Sequence, residues 1–358
     1  MKKDYILAIN PGSTSTKIAL YNQEQALFSK NIKHSSEELS QFNDIIDQYN
    51  LRKKLILEEI EKHKINPQDI KIIVGRGGLL RPIKSGIYEI NEKMITDLKK
   101  GAASTKHASN LGGLIASDLT SVFKVAKAYI ADPPVVDEMD DIARVTGHPM
   151  FKRKSIFHAL NQKAVARRYA KEIKQPYEKL NLIIAHLGGG ISVAAHQSGK
   201  IIDVNNALDG EGAFSPERSG TLPAGDLLKL CFSQKYNQTE IKKMLVGQGG
   251  LVAHLGTNNA LEVEKKISQK DSKAKLIYEA MIYQVAKNIG SMYPVLNCQV
   301  NAIIITGSMA KSDYIINFLK RKIDKIAPVF IYPGENEMES LALNGYLVLS
   351  KQVTPQTY

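Results

Sequence analysis

Residues Tyr5–Leu20 read YILAINPGSTSTKIAL, and a second stretch of the same design, Leu182–Ala195, reads LIIAHLGGGISVAA. Each is a buried-type apolar run, one polar residue (Asn10, His186), a turn of small residues, and a second apolar run. Short apolar runs broken by Gly and Ser give a strand–turn–strand signal. The backbone N–H groups of such turns form concavities that accept anions, phosphate above all. Either turn alone is an ordinary hairpin. The repetition in both halves of the chain implies a duplicated, phosphate-binding core.

The rest of the chain continues the alternation. Ile70–Val74 is a short apolar strand running into Gly75-Arg76-Gly77-Gly78, and Val125–Ile130 is another that ends at Asp132-Pro133-Pro134. In the second half, strands are expected near Lys200–Val204, Asn301–Thr306 (before Gly307-Ser308) and Val329–Tyr332. Helical periodicity covers Ser36–His63, Thr96–Leu119, Phe157–Ile173, most of Gly225–Tyr293, and Met338–Ser350. The Gly-rich loop Asp209–Gly220 is too long to be idle inside a compact domain. Alternating strands and helices mean α/β architecture, with ligands bound beyond the carboxyl ends of the strands. Asn10, Arg76, Asp132, His186 and Gly307 occupy that position.

A chain of 358 residues exceeds the size at which one core keeps growing, so two domains are expected. The pattern change near Gly147 and Pro149 sets them at 1–150 and 151–337, with the closing helix in 338–358 returning to the first. Apolar content of 43% and charged content of 23% are those of a globular protein. No apolar run approaches the roughly 18 residues of a membrane helix, and the N-terminal run is too short for a secretory signal. Cys231 and Cys298 form no CxxC pattern, so a cytoplasmic location is expected, without a disulfide framework or zinc site. The net charge of +12 comes from scattered clusters such as Arg52-Lys53-Lys54, Lys152-Arg153-Lys154 and Lys320-Arg321-Lys322, read as solvated helix faces. Neither nucleic acid nor a membrane is expected as a partner.

There is no GxxxxGK[ST] P-loop, and no GxGxxG between a first strand and helix. The segments INPGSTSTK (9–17), VGRGG (74–78), ADPPVVDE (131–138), FHALNQKAVARRYA (157–170), AHLGGGISV (185–193), DGEGAFSPERSG (209–220) and GENEMESLALNG (334–345) resemble, in order, the butyrate kinase family. That family is close to acetate kinase, within the superfamily of sugar kinases, actin and heat-shock chaperones. The resemblance implies a duplicated actin-like ATPase fold, ribonuclease H-like in each half, with a central nucleotide cleft. It also implies reversible phosphorylation of a short-chain fatty acid to an acyl phosphate with ATP/ADP and Mg²⁺, by a homo-oligomer of at least two subunits.

Residue by residue, the resemblance assigns Asn10, Ser13 and Lys17 to a first phosphate loop. His186, Gly188, Gly189 and Gly190 fall in the second, and Gly307-Ser308 in the adenosine-side turn. Arg76, Asp132, His158 and Arg218 take the catalytic positions. Glu337 is the magnesium-linked glutamate, with Glu335 and Glu339 as neighbours one step away and Asn10 as a further candidate ligand. The chemistry suits these residue types. A carboxylate is already ionised at neutral pH, so no general base is needed, and two guanidiniums can bring two anions together. Two other readings stay open at this point: a nucleotide-dependent regulator on the same superfold, and a sugar kinase relative using Asp132 as a base.

Overall fold

The computed structural model describes residues 3–101 and 108–358, in two compact units. One comprises residues 1–136 and 336–358, the other 137–335. The sequence boundary at 150 differs from this division, and Glu337 falls with the first unit instead of the second. The physical reason is visible at each junction. Asp137 and Glu138 are held by Arg144 and Lys163 of the second unit. The helix Glu337–Leu349 packs on strands of the first: a Cβ at its Gly345 would lie 2.7 Å from Ile6 Cγ2 and 2.9 Å from Val74 Cγ2.

The strands of the first unit are β1 (Tyr5–Pro11), β2 (Ser15–Asn22), β3 (Gln25–Lys33), β4 (Ile70–Arg76), β5 (Ile87–Glu89) and β6 (Lys127–Ala131). Those of the second are β7 (Asn181–Leu187), β8 (Ile191–Gln197), β9 (Lys200–Val204), β10 (Ala302–Gly307) and β11 (Val329–Pro333). The pair β12 (Gln356–Thr357) returns to the first. The seven-stranded sheet runs β12-β5-β6-β4-β1-β2-β3 and the five-stranded sheet β11-β10-β7-β8-β9. In each, an antiparallel meander (β1-β2-β3, β7-β8-β9) is flanked by parallel strands (β4 and β6, β10 and β11). The repetition read from the two opening segments is therefore a repetition of topology.

Strands buried on both faces read as near-continuous apolar runs. Ile6, Leu7, Ala8 and Ile9 are fully buried, as are Leu182, Ile183, Ile184 and Ala185. In the first unit, Leu7, Ile9 and Ile73 pack with Leu111, Ile115 and Leu119 of the helix Asn110–Val122. Gly75 permits this approach, since a Cβ there would sit 2.1 Å from the Gly112 carbonyl oxygen. In the second unit, Ile183, Val193 and Ile305 pack on Tyr278, Ile282 and Val285 of the helix Ser272–Val295. Leu182, Ile184 and Ile304 pack on Val165 and Tyr169 of the helix Ala159–Glu172.

The helical reading of Ser36–His63 breaks into a short helix Ser36–Ser40, a 3-10 turn Ile45–Gln48 and the helix Tyr49–Lys62. Asp44 is the cause: its carboxylate accepts from Ile46 N, while Asp47 accepts from Asp44 N, which starts a new helical segment. Within the expected helical stretch 96–119, residues 102–107 lie outside the described residues. No helix among those described is long and apolar enough to cross a membrane.

Candidate functional site

In the first unit, three sequence-predicted residues meet at the carboxyl ends of adjacent strands. Parallel pairing of β1 with β4 sets Ile9 opposite Gly75, so Asn10 and Arg76 leave the sheet side by side. Arg76 Nη1 donates to Asn10 Oδ1 at 3.2 Å and ion-pairs with Glu337 Oε1 at 3.1 Å. Asn10 Nδ2 donates in turn to Glu337 Oε2. Of the candidate glutamates, Glu337 is the one in this cluster. Glu335 offers its backbone carbonyl to Asn161 in the second unit, and Glu339 is exposed. Lys17 lies directly opposite Asn10 in the β1–β2 register, exposed, and opposite residues share a face.

Ser13 sits in the β1–β2 turn, and here sequence reasoning missed a residue. Arg52, read as part of a solvated basic cluster, is fully buried. Its Nη1 donates to Gly12 O at 2.8 Å, Ser15 O at 3.0 Å and Thr16 Oγ1 at 3.0 Å, and its Nη2 to Ser13 O at 3.0 Å. Nε and Nη2 are steadied by Gln48 Oε1, one turn away. Burial pushes this guanidinium down to about 10, which leaves it charged at neutral pH. A signal for it existed: the spacing of Arg52, Ile56 and Ile60 puts all of them on one buried helix face.

Asp132 follows β6, beside Arg76 in the sense that Arg76 pairs with Ala131. It is buried and adopts φ of 36°, a region where non-glycine residues are uncommon and Asp is among the few enriched. Its Oδ1 accepts from Ser85 Oγ at 2.6 Å and Gly86 N at 2.8 Å. The turn that carries Asp132 is thus tied to the strand entering at Ile87.

In the second unit, His158 sits at the N-terminal boundary of the helix Ala159–Glu172 and His186 near the end of β7. The two imidazoles stack, with centroids 3.8 Å apart and planes 10° from parallel. Gly188, Gly189 and Gly190 form the β7–β8 turn, closed by Gly188 N donating to Gly190 O at 3.1 Å. Ser215 Oγ donates to Gly189 O at 2.6 Å, which ties this turn to the Asp209–Gly220 loop. Arg218, from the same loop, lies against Gly190: a Cβ there would come within 2.0 Å of its Nη1. Arg218 Nη1 also donates to Ala207 O. Glu211, a candidate partner for Arg218 by proximity in sequence, instead pairs with Arg153 at 3.4 Å, and Glu217 accepts from Asn258 at 2.6 Å.

Gly307 ends β10, next to His186 through the Thr306–His186 pairing, and adopts φ of 92°. A Cβ there would lie 2.2 Å from Leu187 O, so only glycine fits. Ser308 opens a 3-10 turn and is exposed. Gly188, Gly189, Asn258, Ser308, Lys311 and Ser312 line a cavity of about 740 Å³, within the size range of small-ligand sites.

No group of three or more His, Cys, Asp or Glu side chains suited to a metal occurs among the described residues. Glu337 and Asn10 are nevertheless hard oxygen donors close together. Mg²⁺ is commonly held by one or two carboxylates completed by phosphate oxygens and water, so this donor set fits it.

The two sheets, each an antiparallel meander flanked by parallel strands, define an α/β protein of the fold seen in solved acetate kinases. The solved acetate kinase of Porphyromonas gingivalis superposes with a TM-score of 0.79, covering 97% of this chain and 100% of that one at 17% identity. A model of the acetokinase family matches residues 144–325. The chain is 56% identical to Butyrate kinase 2 of Clostridium acetobutylicum over 353 residues, 99% of each chain. It is 53% identical to a probable butyrate kinase of Bacteroides thetaiotaomicron, again over 99% of each. The chain belongs to the acetokinase family.

Proposed function

We propose that this chain transfers the terminal phosphoryl group of ATP to the carboxylate of a short-chain fatty acid, and in reverse forms ATP from an acyl phosphate and ADP. Butyrate or a branched relative is the preferred acid, because the relatives matched over nearly the whole chain are named butyrate kinases. The observation that carries the reading is the Arg76–Glu337–Asn10 cluster at the strand ends of a chain in this family.

In the forward direction one carboxylate oxygen attacks the γ-phosphorus, the bond from that phosphorus to the β–γ bridging oxygen breaks, and ADP departs with the electron pair. The acid, with a carboxyl pKa of about 4, arrives ionised, so no side chain has to remove a proton. What the protein must supply is position and positive charge. Arg76 is the group proposed to fork onto the acid carboxylate. Arg218 and His158 are proposed to stabilise the transferring phosphoryl group, with Asp132 orienting the guanidinium side of the site. The N–H groups of Gly188–Gly190 and of the Ser13 turn, with Lys17, would receive phosphate oxygens, with His186 lining the second turn. The cavity beside Ser308 has the volume to hold the nucleoside, with Gly307 giving close backbone approach. When bound, Mg²⁺ would neutralise phosphate charge, and Glu337 with Asn10 would hold it.

On this reading the first unit handles the acid and the second the nucleotide, and the protein works in the cytoplasm as a homo-oligomer. The test is Mg-ATP turnover with straight and branched acids from acetate to hexanoate, with acyl phosphate trapped as hydroxamate. A maximum at butyrate or its branched relatives, lost in Arg76→Ala and Arg218→Ala without unfolding, is the expected result. Turnover with glycerol or a hexose but with no acid would replace the carboxylate kinase by a sugar kinase. ATP binding without turnover of any acceptor would leave a regulator.

A further inference from the structure

Behind the stacked histidines runs a chain of buried polar side chains whose donors and acceptors can be assigned one after another. It begins at Gln162, which is fully buried. Its Nε2 lies 3.2 Å from the backbone carbonyl of Ser192 and 2.9 Å from Ser192 Oγ. A carbonyl can only accept, so the amide is oriented with its NH₂ toward Ser192. Its Oε1 therefore faces His196 Nε2, 3.0 Å away, and requires a proton there. His196 is fully buried, and burial holds it well below the usual histidine range, hence neutral. With its proton on Nε2, its Nδ1 must accept, and Tyr177 Oη donates to it at 2.6 Å.

The same logic runs outward. Ser192 Oγ accepts from Gln162, so its own proton needs an acceptor. His158 Nδ1, 2.9 Å away, is the acceptor the hydroxyl meets among the described residues. A buried hydroxyl proton left without a partner costs about 1–3 kcal/mol, enough to select this arrangement. On the other ring, Asn161 Nδ2 donates to the Glu335 carbonyl at 2.7 Å, which turns Asn161 Oδ1 toward His186 Nδ1 at 2.7 Å. His186 Nδ1 therefore carries a proton.

We infer that Gln162 and Ser192 act as positioning residues that fix neutral His158 with Nδ1 as acceptor and Nε2–H as donor, while Asn161 fixes the stacked His186 with its proton on Nδ1. The two Nδ1 atoms of the stack thus take opposite roles, acceptor in His158 and donor in His186. The catalytic meaning rests on the function proposed above: an Nε2–H on His158 points a hydrogen-bond donor, and no lone pair, at an anionic phosphoryl group.

The test is the ¹⁵N spectrum of the full protein labelled at histidine, recorded where free imidazole is neutral, with His158 and His186 assigned by loss of signal in His158→Gln and His186→Gln. The expected result is an unprotonated Nδ1 and protonated Nε2 for His158, and a protonated Nδ1 for His186. A protonated His158 Nδ1 in the neutral ring, or an unprotonated His186 Nδ1, overturns the inference whatever the activity. In Ser192→Ala and Gln162→Leu, the His158 signals should move toward a tautomer mixture. The kcat should fall, by an amount up to the 10²–10³-fold typical of a lost oxyanion donor, with KM for ATP and acid little changed. Unmoved His158 signals in both variants also overturn it. The expected spectrum in a protein that phosphorylates no acid would uphold the tautomer assignment and sink the proposed function, so the two failures are distinguishable.

Discussion

Arg52 Nη2 donates to the carbonyl oxygen of Ser13 at 3.0 Å, while its Nη1 takes the neighbouring carbonyl of Gly12 at 2.8 Å. One buried guanidinium thus gathers the carbonyls of the β1–β2 turn behind the loop. A turn whose carbonyls are consumed on one side is free to offer its N–H groups on the other, which is the polarity an anion requires. On the function proposed above, Arg52 need never touch phosphate to matter for binding it.

Removing this clamp should cost stability and affinity together. Arg52→Met removes the donor from the carbonyls of Gly12 and Ser13, and a loss of about 2–4 kcal/mol in urea unfolding is expected, with a raised KM for ATP. Arg52→Lys keeps the charge but not the fork, and should fall between the two. Unfolding midpoints and KM for ATP indistinguishable from those of the unmodified protein would remove Arg52 from the site.

Gly190→Ala is expected to separate folding from activity. The added Cβ would meet Arg218 Nη1, the far end of a flexible side chain, so the guanidinium can move while the backbone stays. The unfolding free energy should change by about 1 kcal/mol or less, whereas kcat should drop on the order of 10²-fold. Retained kcat would show that the position of Arg218 against Gly190 is unimportant.

Glu337 and Arg76 can be told apart by what each variant loses. Glu337→Gln keeps an acceptor for Arg76 but loses a carboxylate, so half-saturation by Mg²⁺ should rise about tenfold or more. In Arg76→Lys the forked contact is gone, and KM for the acid should rise about 10–100-fold, equivalent to roughly 1.4–2.7 kcal/mol. A Mg²⁺ titration unchanged by Glu337→Gln would place the metal elsewhere.

Acid should destabilise the protein through its buried histidines. Burial lowers the proton affinity of His196 and of His34, for which the Arg52 charge adds to the effect. Both groups therefore bind protons more readily unfolded than folded, and stability rises with pH up to the unfolded value of about 6.5 and is lost below it. Each histidine that charges fully on unfolding contributes a slope of about 1.4 kcal/mol per pH unit in that window. Urea midpoints measured on both sides of it, in the unmodified protein and in His196→Asn, check this: the variant should show the shallower fall. An equal slope in both would mean that His196 does not charge on unfolding.

Much of the scaffold was legible because it is written in local pattern. The apolar runs at Ile6–Ile9 and Leu182–Ala185 are strands buried on both faces, and the small-residue turns after them are hairpins. Helix interruption at Asp44 was not read, because a capping carboxylate and a mid-helix carboxylate look alike until their N–H partners are seen. Arg52 was misread for a related reason: a charged residue on an apolar stripe is taken as solvated unless a buried set of acceptors is known to await it. The strands β5 and β12, three and two residues long, were too short to carry any period.

By itself, the sequence determined the duplicated α/β design, the strand-end residues from which a site could be built, and family membership, since these depend on neighbours within a few positions or on the order of motifs along the chain. Tertiary structure alone decided which partners those residues take. Asn10 meets Glu337 across 327 positions and Arg52 meets Gly12 across 40. The contacts of Glu337 with Asn10 and Arg76, which Glu335 and Glu339 are not seen to make, and the hydrogen bonds of His158 and His186, likewise join groups far apart in the chain. A buried donor must find an acceptor wherever the fold brings one, and no local spacing records where that will be.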